Sequence, residues 1–193
     1  MGWNMSLVPA FEIGLWNAWL FMSIFLLQWL AVSLAGERVY QRTGHPADMK
    51  RSKSERRTGL AAMITWLVAT IYSIFLPLQL GTAWFYIGLG VFLAGLTILI
   101  IATLNFATAP PHKPITTGFY RYSRHPMYLA MFLIYIGTSL ASASWLFFLL
   151  AIAAVVLVQP EASLEERYCL KRYGKAYREY LKKTPRWVGI LKS

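Results

Sequence analysis

The sequence predicts an all-α, polytopic integral membrane protein with five transmembrane helices and a cytoplasmic catalytic segment. Three observations carry that expectation. Of 193 residues, 57% are hydrophobic and only 14% are charged, which is more apolar surface than a soluble domain of this length can bury. Apolar runs recur along the chain at or near the length needed to cross a bilayer. All 19 lysines and arginines fall in alternate connections between those runs.

The first run, roughly Gly14 to Ala35, is long enough for one crossing and, with no basic residue before it, does not read as a cleavable signal peptide. The loop 36–59 that follows holds seven basic residues: Arg38, Arg42, Lys50, Arg51, Lys53, Arg56 and Arg57. Leu60 to Leu80 and Ala83 to Leu104 supply the second and third crossings, and Gly88, Gly90 and Gly95 let the third approach a neighbouring helix closely. Met127 to Ala141 and Trp145 to Val158 are shorter and are joined by Ser142-Ala143-Ser144. They read as a tight helical hairpin that either continues as helix past the hydrocarbon or is tilted within it. Lys113, Arg121 and Arg124 precede the hairpin, and nine further basic residues follow Val158. Five crossings with the amino terminus outside and the carboxyl terminus in the cytoplasm put every one of these charges on one side. The chain thus divides at about residue 104. Residues 1–104 carry three crossings and the basic loop 36–59, and residues 105–193 carry the hairpin 127–158, the polar motifs and a cytoplasmic carboxyl-terminal helix.

A net charge of +11 does not indicate a nucleic-acid binder, because there is little soluble surface on which to display it. The loop 36–59 is read instead as a determinant of topology and of contact with anionic lipid, with no chemistry assigned to it. A single cysteine, Cys169, and three histidines, His45, His112 and His125, predict neither disulfide nor metal site.

Chemistry is expected in the stretch Gly118 to Tyr128, where basic, aromatic and turn-forming residues are wedged between apolar segments. A second polar cluster opens the tail: half of the eight carboxylates lie between Glu161 and Glu179, with Glu165 and Glu166 just past the last apolar run. Leu164, Tyr168, Tyr173, Tyr177 and Tyr180 fall broadly on one helical face, interrupted at Gly174. Each of these has a plainer structural reading. His125-Pro126 also suits the first turn of a helix, Arg121 and Arg124 suit snorkelling anchors, Tyr120, Tyr122 and Tyr128 suit an interfacial belt, and Asn105 suits a helix cap. Glu165 and Glu166 also suit a solvated helix face.

The order of motifs in the second half, a Gly-x-Tyr turn, Arg-His-Pro-x-Tyr, a hairpin, Glu-Glu, Tyr-Gly-x-x-Tyr-x-x-Tyr and Thr-Pro-Arg-Trp, resembles the isoprenylcysteine carboxyl methyltransferase family. The resemblance covers about Asn105 to Trp187, and it suggests a small, prokaryotic-type member. It implies an S-adenosylmethionine-dependent methyltransferase, with S-adenosylhomocysteine as product, whose lipidic acceptor enters from the bilayer. Carried over by position, it implies cofactor contacts from Asn105, from His112, Lys113, Pro114 and Ile115, from Tyr120, from His125, Pro126, Met127 and Tyr128, and from Glu165. Arg124, His125 and Glu166 are the candidate catalytic positions. Eukaryotic members place an arginine one turn before the acidic residue, where this chain has Glu161.

Methyl transfer to a carboxylate needs positioning and water exclusion but no general base. Aromatic faces such as Tyr120 or Tyr128 suit a sulfonium, Glu165 suits an ammonium or ribose hydroxyls, and Arg124 or Arg121 suits an anionic acceptor. An amine acceptor, as in phospholipid N-methyltransferases, requires a base, for which His125 or Glu166 are the candidates. Two readings from other classes are an NADPH oxidoreductase of the sterol-reductase type and a non-enzymatic membrane scaffold or small transporter.

Overall fold

The computed structural model describes residues 6–7, 11–34, 49–110 and 112–189, and among them the regular structure is helical. In chain order the α-helices are α1 (Trp19–Leu34), α2 (Lys53–Ile74), α3 (Ala83–Thr108), α4 (Pro126–Ala141), α5 (Trp145–Leu157), α6 (Gln159–Tyr173) and α7 (Lys175–Lys183), with a 3-10 turn at Gly118–Arg121. By length and composition, α2, α3 and the run formed by α5 and α6 are able to cross a membrane, whereas α1 and α4 are apolar but shorter.

Helix boundaries follow local chemistry. Ser52 caps α2: its hydroxyl accepts from the Glu55 backbone N–H at 3.1 Å, and the Glu55 carboxylate accepts from the Ser52 N–H at 2.7 Å. That reciprocal pair starts α2 seven residues before the apolar run expected from Leu60. The helix stops at Ile74, short of Pro77, which cannot donate to a helical ladder. Helix α1 begins at Trp19 rather than Gly14. The preceding strand-like segment is pinned by Asn17, whose amide donates to the carbonyls of Glu12 and Ile74, and by Leu78 N–H donating to Trp16. The expected loop 36–59 lies outside the described residues up to residue 48.

The most extensive packing is between α3 and α4. Gly88 lies so close to α4 that a Cβ there would meet the Ala141 nitrogen at 2.2 Å, and one at Gly137 would meet the Phe92 nitrogen at 2.5 Å. Gly95 is similarly tight against Ala130, while Gly90 faces open space and takes no part in the contact. The α4–α5 hairpin closes through Ser142-Ala143-Ser144, with Ser144 capping α5 through Phe147 N–H. Helix α5 continues almost directly into α6 at Val158, so the expected extension beyond the apolar run is real. The outer faces of α2 and α3 expose Leu60, Ile64, Leu67, Ile71, Ile87 and Leu104, which suits lipid as the surrounding solvent.

Candidate active site

The site forms where the start of α4, the first half of α6 and the residues after α7 converge. Pro126 occupies the first turn of α4 and His125 is its N-cap residue, so the helix-start role expected for this dipeptide holds. That role leaves the imidazole free to turn inward, and His125 is buried at 6% exposure. Its Nδ1 lies 3.3 Å from Glu165 Oε2 and its Nε2 lies 3.1 Å from Glu166 Oε1. An imidazole with a carboxylate at each nitrogen is best satisfied as the doubly protonated cation. Burial on its own lowers the pKa of His125, but the hydrogen bonds to Glu165 and Glu166 outweigh it and hold it above the usual histidine value.

Glu166 is the hub. Arg186 grips it with both nitrogens, Nε to Oε1 at 3.0 Å and Nη2 to Oε2 at 2.6 Å, and also donates to Ser163 Oγ at 3.2 Å. Arg124 Nη1 adds a contact at 3.3 Å. Burial raises the carboxyl pKa, yet the hydrogen bonds from His125 and Arg186 and the charge of Arg124 bring it down to about 2. A carboxylate so held is a poor proton acceptor at neutral pH. Arg124 is likewise committed to this network, and its backbone N–H donates to Pro185.

Glu165 is more open, with its side chain 35% exposed, and it accepts from the Tyr128 hydroxyl at 2.5 Å. The His125 ring stacks on Tyr128 and tilts against Trp187, at centroid distances of 5.6 and 5.8 Å. The tail is fastened over this cluster, since Ser123 Oγ donates to the Arg186 carbonyl at 3.2 Å and accepts from the His125 N–H at 3.1 Å. Tyr120 is buried, its carbonyl accepts from the Tyr180 hydroxyl at 2.6 Å, and burial followed by the charge of Glu165 pushes its phenol pKa up.

Asn105 lies in the last turns of α3 against the 3-10 turn. Gly118, at φ +60°, leaves no room for a side chain there: a Cβ would meet Asn105 Nδ2 at 2.1 Å. That Nδ2 and Arg124 Nε are buried and have no hydrogen-bond partner among the described residues. Unpaired buried donors beside an accessible carboxylate and aromatic faces fit a ligand carrying carboxylate or ribose oxygens, an ammonium and a cationic sulfur. The structure therefore brings Tyr120, Arg124, His125, Pro126, Tyr128, Glu165 and Glu166 together. Met127 is half-buried and packs against the hydrophobic core. His112 and Lys113 are exposed in the loop ahead of the cluster, with Pro114 and Ile115 half-buried beside them. Arg121 is exposed at the end of the 3-10 turn.

Three residues to which the sequence reading assigns no chemistry enter the picture. Arg186 and Trp187 belong to a motif visible in the sequence, but their partners Glu166 and His125 are too distant along the chain to be read from spacing. Arg51, from the basic loop, pairs with Glu161 at 2.6 Å. Among the described residues, no group of three or more His, Cys, Asp or Glu is arranged to hold a metal ion.

Comparison with known protein families covers the α4 and α6 residues of this arrangement and stops short of Arg186 and Trp187. Residues 78–176 match the phospholipid methyltransferase family. The chain is also 28% identical over 81 residues to a protein-S-isoprenylcysteine O-methyltransferase of Schizosaccharomyces pombe, a stretch covering 42% of this chain and 34% of that relative.

Proposed function

The chain belongs to the phospholipid methyltransferase family, and on that premise we propose that it transfers a methyl group from S-adenosylmethionine to a carboxylate of a lipidic, isoprenylcysteine-type acceptor. The observation that carries the choice of acceptor is the state of the two best-placed bases. His125 faces a carboxylate at each ring nitrogen and Glu166 is locked to Arg186, so neither is free to take a proton from an amine. A carboxylate acceptor needs no such base.

When bound, S-adenosylmethionine would supply a methyl group on a sulfonium, and an ionised acceptor carboxylate would need only positioning, not a base, to receive it. Asn105 and Glu165 hold the donor, the first through its unpaired amide N–H and the second by attracting its ammonium or ribose hydroxyls. Tyr128, oriented by its bond to Glu165, and Tyr120 offer ring faces to a cation. The segment from His112 to Ile115 is assigned to donor contact by its position in the family pattern, and so are Pro126 and Met127 at the start of α4. Glu166 keeps His125 charged and in place, and Arg124 joins the tail to that pair. The residues after α7 exclude water by covering His125 with Trp187.

The protein crosses the bilayer five times, with the amino terminus outside and the site facing the cytoplasm. Three long apolar helices, two shorter ones and the confinement of Lys and Arg to alternate connections support this topology. Incubating the purified chain with methyl-labelled S-adenosylmethionine and a panel of acceptors tests the proposal. Label on a farnesylated cysteine derivative, released by mild base as an ester, is the expected result. Label on phosphatidylethanolamine overturns the carboxylate reading, and no transfer to any acceptor together with NADPH binding overturns the methyltransferase reading itself.

A further inference from the structure

We infer that Arg51 is a specificity-determining residue of this site, whose guanidinium takes the anionic group of the lipidic acceptor, a carboxylate or a phosphate, in exchange for Glu161. The inference rests on the methyltransferase reading above and names the group by which its acceptor is recognised.

Arg51 and Glu161 are separated by 110 positions in sequence, yet Arg51 Nη2 lies 2.6 Å from Glu161 Oε1. Room for this approach is made at Gly59. A Cβ there would meet Arg51 Nη1 at 3.3 Å and Glu161 Oε2 at 4.0 Å, so the guanidinium lies along α2 in the space a side chain would occupy. Glu161 and Glu165 are four residues apart on α6 and therefore share a face. Glu165 holds Tyr128 and His125, and Glu161 is one turn closer to the apolar helix α5. Glu161, and with it Arg51, therefore stands on the α5 side of Glu165, the side from which a molecule leaving the hydrocarbon would come.

The pair is also in the right state to open. Both side chains are 29% exposed, neither sealed in the interior nor fully solvated, and a part-exposed ion pair exchanges partners readily. Arg124 and Arg186 are bound to Glu166, whereas Arg51 spends one N–H on Glu161 and keeps others of its fork for a bidentate contact. Arg51 and Glu161 both act electrostatically on Tyr128, which places them at the edge of the same cluster.

Equilibrium binding to the full-length protein in detergent, without methyl donor, provides the test. The probes are N-acetyl-S-farnesylcysteine, its uncharged methyl ester and a short-chain phosphatidylethanolamine. Arg51→Ala is expected to weaken binding of the acid at least tenfold and to leave the ester unaffected, with Arg51→Lys intermediate. Glu161→Gln is expected to leave binding of the acid as tight or tighter. A tenfold loss for phosphatidylethanolamine instead of the acid identifies phosphate as the group. Equal losses for acid and ester, or parallel losses in Arg51→Ala and Glu161→Gln, show a purely structural pair and overturn the inference, as does an Arg51→Ala variant that binds every probe like wild type. Titration of the same samples with S-adenosylmethionine separates the two claims. Donor binding without Arg51-dependent selectivity removes this inference alone, and selectivity without donor binding removes methyl transfer alone.

Discussion

His125 and Glu166 hold each other in opposite charge states, and the surroundings of each make the other necessary. Removing the carboxylate leaves Arg124 and Arg186 without their acidic partner and His125 with Glu165 alone, in a largely buried place. Glu166→Ala is therefore expected to cost about 3–5 kcal/mol, measured by equilibrium unfolding in mixed micelles. The pair also sets a pH dependence. The histidine pKa is raised in the folded protein, so its contribution is fully present below about 6.5 and is lost as pH rises through the raised value. The Glu166 pKa is lowered, so its contribution is present above about 4.5 and is lost as pH falls through about 2. The thermal midpoint is expected to be highest between those limits and to fall on the alkaline side, and His125→Gln is expected to remove the alkaline fall. The sequence reading groups His125, Tyr128 and Glu165 through the motifs that carry the family resemblance, and the folded chain brings these three side chains into contact. Arg186 is not assignable in the same way, because it follows α7 while its partner Glu166 is 20 residues away on α6, and Arg51 reads from the sequence as part of a loop that sets topology and contacts anionic lipid because nothing local marks Glu161 as its mate.

The elements place these residues through close contact between α3 and α4, and the glycines in that contact differ in what they permit. Gly88→Val is expected to lower expression and thermal midpoint sharply, since its side chain would collide with the backbone of Ala141. Gly90→Ala, which meets nothing, is expected to stay within about 1 kcal/mol of wild type. Gly118→Ala acts on the site rather than on the helices, because it displaces Asn105 and forces a left-handed backbone on a residue with a Cβ. Weaker binding of S-adenosylhomocysteine, with a thermal midpoint lowered by much less than in Gly88→Val, is the expected signature. The helical class and the hairpin followed from apolar run length alone. The boundaries did not: α2 starts early because Ser52 and Glu55 form a reciprocal cap, a signal present in the sequence. The late start of α1 depends on Asn17 reaching the carbonyl of Ile74, which only the folded chain supplies.

For the molecule as a whole, apolar helix faces are turned outward, and under the proposed function the bilayer becomes part of the site, with lipid bringing the acceptor and water the donor. Topology is accessible to labelling. In a Cys169→Ser background, Gly81→Cys is expected to react with a membrane-impermeant maleimide added outside intact cells, and Lys182→Cys only after the cells are opened; the reverse pattern contradicts five crossings with the amino terminus outside. The most direct measurement of the central claim is calorimetric titration of the purified protein with S-adenosylhomocysteine, comparing wild type with Glu165→Ala. Saturable binding near one equivalent per chain, weakened at least tenfold by the substitution, is the predicted result. Absence of binding by wild type, or binding that Glu165→Ala leaves intact, contradicts it.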